Sequence, residues 1–181
     1  MIQLRYWEND RTMMFDFDDK FFLATDGYSF VLENISNLGN KMAGIEHIKK
    51  LIENPKLRIF NPIGTSKKFK KEYKTLSENF KNIAIYFKPI SEKEIEWGIE
   101  AVANRDLNGT GYILYSVDIG KIEGKLDEVM HFELPDKVLK LIQKLSLPEI
   151  LFTDQRLIFA EDGTGRLDKH AIYVGIARMY I

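Results

Sequence analysis

The sequence predicts an α+β fold, with a mixed α/β fold as the alternative, and two observations support this class. The first third contains short runs rich in aromatic and β-branched residues, which are typical of strands. Farther along the chain, segments with apolar residues at helical spacing lie between further strand-like runs. The predicted architecture is therefore an N-terminal antiparallel meander, three main helices, and further strands in one or two sheets.

The meander is predicted from four strand-like runs, at residues 2–7, 12–17, 20–25 and 28–33. The dipeptide Asp26-Gly27 separates the last two runs and favours a two-residue hairpin turn, because both turn positions require positive φ. Asp18-Asp19 supplies the preceding turn, since an aspartate side chain hydrogen-bonds the backbone of its own turn. These signals predict that consecutive strands pair antiparallel.

Helical spacing recurs in four later segments, from which three main helices are expected: residues 42–52, 66–80, 91–102 and 134–145. In the segment 91–102, Ser91 and Glu94 form an S-x-x-E capping box. Because strand-like runs alternate with helical ones here, parallel strand pairing is expected unless antiparallel strands intervene. The remaining strands are predicted at residues 57–60, 82–88, 110–117, 149–153 and 156–160. Residues 171–181 fit a strand or a helix, and a strand is favoured.

Length and composition predict a soluble protein with a single globular domain, residues 1–181. The chain has no cysteine, which excludes disulfides and thiolate chemistry. No apolar run reaches the roughly 20 residues that cross a bilayer, so no membrane association is expected and the predicted location is the cytoplasm. No cofactor-binding motif is recognised, and no cofactor is expected.

Two aspartates near the N terminus are the candidate metal ligands. Asp16 and Asp18 alternate with phenylalanines, so both carboxylates leave the same face of a continuous strand, an arrangement that suits Mg²⁺. The pattern resembles the D-x-D motif of haloacid-dehalogenase-type hydrolases, which would imply a magnesium-dependent hydrolase or transferase. It departs from that family at Lys20, where the family has a small hydroxyl residue. The alternative is a solvent-facing strand and turn, with no metal bound.

A lysine-rich segment is the candidate nucleic-acid-binding site. Residues 49–88 carry 11 basic and 3 acidic side chains, whereas the whole chain has a net charge of −1. In the predicted helix the apolar residues occupy one face. The opposite face gathers four lysines that suit a phosphate backbone: Lys67, Lys70, Lys71 and Lys74. The alternative is a solvated helix face with no ligand.

Trp97 is the candidate anchor of a protein interface. If residues 91–102 are helical, Ile95, Ile99 and Val102 form the buried stripe and Trp97 lies outside it. The predicted partner-binding residues are then Trp97, Lys93, Glu96 and Glu100. An exposed Trp surrounded by carboxylates has the composition of a binding hot spot. The alternative is that another segment covers this side chain.

These observations favour a protein that binds another macromolecule. No spacing of catalytic residues stands out, so an enzymatic function is not indicated. The acidic segments on both sides of residues 49–88 favour a basic protein as partner. The most concrete hypothesis is a small cytoplasmic inhibitor of a basic protein, of the kind represented by bacterial toxin-immunity partners. A nucleic-acid-binding protein and a magnesium-dependent hydrolase or transferase are the alternatives.

Overall fold

The computed structural model describes residues 13–17, 21–25, 29–34, 50–103, 111–145, 147–161 and 171–181. These residues form both strands and helices, with strands predominating, which is compatible with the predicted α+β class. The strands are β1 (Met13–Phe17), β2 (Phe21–Thr25), β3 (Ser29–Asn34), β4 (Leu57–Phe60), β5 (Ile83–Pro89), β6 (Glu94–Val102), β7 (Ile113–Glu123), β8 (Met130–Glu133), β9 (Glu149–Phe152), β10 (Arg156–Ala160) and β11 (Ala171–Met179). The helices are α1 (Lys67–Asn79) and α2 (Asp136–Leu145), and residues 50–53 are also helical.

The described chain forms two compact units. The first contains Met1–Asn61 and Lys137–Ile176, and the second contains Pro62–Asp136 and Ala177–Ile181. Each unit is therefore assembled from separate segments, and β11 supplies residues to both. The single-domain prediction stays a prediction.

In the first unit the strands follow the order β1-β2-β3-β11-β10-β9-β4. The pairs β1/β2 and β2/β3 are antiparallel, which confirms the predicted meander for its described strands. β3/β11, β9/β10 and β4/β9 are antiparallel as well. The core of this unit includes Leu32, Ile52, Leu151, Ile158 and Tyr173. The predicted strand at residues 2–7, both aspartate-containing turns and most of the helix predicted at residues 42–52 lie outside the described residues.

In the second unit the order is β8-β5-β6-β7, and the end of β11 pairs with β8. All of these pairs are antiparallel, so the expectation of parallel pairing is wrong. The reason is that β5 and β6 are joined by a short turn instead of a helical crossover. Ile90 N and Ser91 N donate to Glu94 O at 3.0 and 3.3 Å, closing a hairpin.

The helix predicted over residues 91–102 is wrong, because most of this segment is strand β6. Its apolar residues Ile95 and Ile99 fit helical spacing, but Trp97 and Ala101 complete an alternation with period two. All four are buried. Ser91 Oγ accepts from Lys93 N at 3.2 Å within the hairpin turn, so the S-x-x-E pattern here does not cap a helix.

Helix α1 covers one face of this sheet and agrees with its prediction. Ser66 is the N-cap, and its Oγ accepts a hydrogen bond from Phe69 N at 3.1 Å. Phe69, Tyr73 and Leu76 form the buried face of the helix. Phe69 stacks on Trp97 of β6, with ring centroids 5.9 Å apart. The helix predicted over residues 134–145 is also present as α2, which buries four apolar side chains: Val138, Leu139, Leu141 and Ile142.

Candidate functional site

Four large apolar side chains lie next to one another on the surface of the second unit. Tyr112, Ile113, Leu114 and Tyr115 are between 42% and 64% exposed. We call residues 112–115 the apolar edge. Successive strand residues point to opposite faces of a sheet, so the described part of the chain covers neither face at this end of β7.

Two local features leave the apolar edge open. Among the described residues β7 pairs only with β6, so its other side is an edge of the sheet. A β-bulge leaves Leu114 without a partner in the β6/β7 register. Gly111 N donates to Tyr180 O at 3.2 Å, and Tyr180 and Ile181 are themselves exposed. The exposed residues Tyr180 and Ile181 are thus tied to the start of the apolar edge through the backbone of Gly111.

The face of this sheet opposite α1 is rich in carboxylates, and we call it the acidic face. The paired residues of β5, β6, β7 and β8 place six acidic side chains on it: Glu94, Glu96, Glu100, Asp118, Glu123 and Glu133. Lys88 and Lys121 lie on the same face. Lys121 Nζ is 3.2 Å from Glu94 Oε1, which neutralises one of the carboxylates.

Several polar groups on the acidic face are bonded to each other. His131 Nδ1 lies 2.7 Å from Glu100 Oε2, within hydrogen-bonding distance. Tyr86 donates from its hydroxyl to Glu96 Oε1 at 3.2 Å. Burial, followed by the Glu96 carboxylate, raises the pKa of Tyr86 above the ordinary tyrosine value of about 10. The Tyr86 hydroxyl therefore stays protonated and holds Glu96 in place.

Trp97, the predicted anchor of the interface, is not on the surface. Trp97 is only 3% exposed, because on strand β6 it shares the face of Ile95 and Ile99 and packs under α1. Its predicted exposure is wrong. Glu100 is also only 3% exposed and is paired with His131, so the prediction that it lies on the outer surface is wrong as well. Glu96 is half-buried and Lys93 is exposed in the β5/β6 turn.

The four lysines predicted to form one helix face are all exposed on α1: Lys67, Lys70, Lys71 and Lys74. Their exposure and the burial of Phe69, Tyr73 and Leu76 agree with the predicted orientation of this helix. Nucleic-acid binding by these lysines stays a prediction.

The metal hypothesis also stays a prediction. Asp16 lies in β1, and Asp18 lies outside the described residues. Within the described part of the chain, no group of three or more His, Asp or Glu side chains is arranged to hold a metal ion. No helix there is both long enough and apolar enough to cross a membrane.

The apolar edge was not identified from the sequence. A run such as Tyr-Ile-Leu-Tyr at residues 112–115 is typical of a buried strand, and only the strand order shows that it lies at an edge. Comparisons with known proteins add no assignment, because no family model, curated protein or solved structure matches this chain.

Proposed function

We propose that this protein binds another protein, whose extended segment adds to the sheet beside β7. The observation that carries the proposal is the exposure of all four side chains of the apolar edge. Contiguous exposed apolar surface of this kind is typical of an interaction site. Tyrosine, which supplies two of the four side chains, is also common among the residues that dominate interface energies.

The position of these residues at a sheet edge favours strand addition over other ways of binding. An edge strand presents unpaired backbone groups, and proteins usually protect such edges with charges, prolines or covering segments. At residues 112–115 of this chain, no charge or proline interrupts the apolar run. A partner strand would satisfy the backbone groups and cover the apolar side chains together.

Charge complementarity favours a basic partner. Farther along β7, the exposed side chains of Asp118 and Glu123 lie on the acidic face. Glu94 and Lys121 compensate each other, so the excess charge beside the strand is negative. A segment that is apolar opposite residues 112–115 and carries Lys or Arg opposite Asp118 would match β7 in both respects. This supports the basic partner inferred from composition, although through different residues.

The test uses 12-residue peptides selected from a random display library against the wild-type protein. We expect the selected peptides to combine apolar residues with Lys or Arg. Leu114→Lys should weaken binding by about 30-fold or more, because it places a charge in the centre of the interface. Ile90→Lys is the matched control, since it adds the same charge at an exposed apolar residue of the β5/β6 turn.

Amide hydrogen exchange distinguishes strand addition from other modes of binding. On peptide binding, the amides of β7 should exchange more slowly in the wild type. The proposal would be contradicted if the peptides bound Leu114→Lys as tightly as the wild type. It would also be contradicted if peptide binding left the amide exchange rates of β7 unchanged. If the wild type instead forms dimers that Leu114→Lys abolishes, the strand that covers β7 belongs to a second copy of this chain.

A further inference from the structure

The outer face of α1 differs in charge and chemistry from the apolar edge. On a helical wheel, Lys67, Lys70, Lys71 and Lys74 fall within an arc of about 100°, opposite the buried side chains of Phe69, Tyr73 and Leu76. We call these four residues the lysine face. All four are exposed, and none forms an ion pair with a described residue. They extend over about 10 Å of helix.

The lysine face is unfavourable for the stability of the helix that carries it. The N-terminal end of a helix attracts negative charge, yet the first turn of α1 contains no acidic residue and begins with two lysines. Lysines at i and i+3 or i+4, such as Lys67 with Lys70 and Lys71, also repel one another. These like charges lower the stability of the helix at the position where they are concentrated. Such an arrangement is expected where an anionic ligand compensates the charges.

We propose that the lysine face binds the phosphate backbone of nucleic acid, independently of sequence. A nucleic-acid strand presents a phosphate about every 3.4 Å along a duplex axis, so about 10 Å of helix spans about three such intervals and faces about four phosphates, one for each lysine. A membrane surface fits less well. Helices that bind bilayers insert their apolar face, whereas that of α1 is buried against β6. This surface is separate from the apolar edge and does not depend on the protein-binding proposal.

Salt dependence of binding is the decisive measurement. Fluorescence anisotropy with a fluorescein-labelled 20-nucleotide single strand and the matching duplex would be recorded between 50 and 300 mM NaCl. If all four lysines contact phosphates, the slope of log K against log salt should approach about −3 for the single strand and about −3.6 for the duplex. The double variant Lys70→Gln/Lys74→Gln should reduce the magnitude of either slope by about half.

The matched control is Lys88→Gln/Lys125→Gln, which removes two exposed lysines of the same unit that do not belong to α1. Its slope should equal that of the wild type, and circular dichroism should show both double variants folded. Equal slopes for the two double variants would overturn the proposal. So would binding to vesicles containing 30% phosphatidylserine without binding to either oligonucleotide, because the anionic partner would then be a lipid surface. Absence of oligonucleotide binding at 50 mM NaCl would also overturn it.

Discussion

At the scale of single residues, Trp97 owes its environment to the strand that carries it. Neighbouring positions of β6 face opposite sides of the sheet, so Trp97 points toward α1 while Glu96 points to the acidic face. The indole contacts Phe69, and its burial contributes to the packing between helix and sheet. The same alternation places Glu100 beside His131.

We predict that Trp97→Ala lowers the free energy of unfolding by about 3–5 kcal/mol, because it removes a large buried side chain and leaves a cavity under α1. Urea denaturation measures this change. Tyr112→Ala is the control, since a side chain that is 64% exposed should alter stability by no more than about 0.5 kcal/mol. Equal midpoints for Trp97→Ala and the wild type would show that the indole is not part of the core.

At the scale of secondary structure elements, the apolar pattern of α1 identifies it as a helix, whereas the apolar pattern of β6 does not distinguish a strand from a helix. Phe69, Tyr73 and Leu76 fit only a helix, and a serine N-cap precedes them. In β6, Ile95 and Ile99 are four residues apart, a spacing that fits a helix and a strand equally well. The strand forms because its neighbours β5 and β7 pair with it along most of its length.

The charge distribution of α1 gives a prediction at the same scale. Lys67→Glu should raise the free energy of unfolding by about 0.3–1 kcal/mol, because it places a negative charge in the first helical turn, four residues before Lys71. Lys74→Glu makes the same charge change beyond the first turn and should stabilise less. Thermal denaturation at low ionic strength compares the two variants. Equal shifts would mean that relief of lysine repulsion, and not the position in the first turn, controls stability.

At the scale of the whole molecule, the path of the chain links the two compact units. The chain passes from one unit to the other three times, after Asn61, Asp136 and Ile176. Neither unit is a continuous segment, and the last crossing occurs within β11. Loss of order in β11 would remove pairing partners from β3 and β8 alike. Folding of the units is therefore expected to be coupled.

We predict a single cooperative unfolding transition. In a Trp7→Phe background, Trp97 is the only tryptophan, so its fluorescence reports on the second unit. Far-UV circular dichroism reports on the strands and helices of both units. The two urea curves should coincide, as a two-state transition requires. Two separated midpoints would show that the units unfold independently and that the single-domain prediction is wrong.

The amino-acid sequence alone is sufficient to predict those elements whose residue pattern fits only one type of secondary structure. The meander strands, α1 and α2 follow from residue types and periodicity, which act over a few neighbouring positions. Tertiary structure decided which face of each element is covered. Trp97 is buried because α1 packs on its side of β6, and residues 112–115 are exposed because no described segment covers either face of the sheet at that end of β7. Both outcomes depend on strand order and packing between distant segments, which local periodicity does not encode.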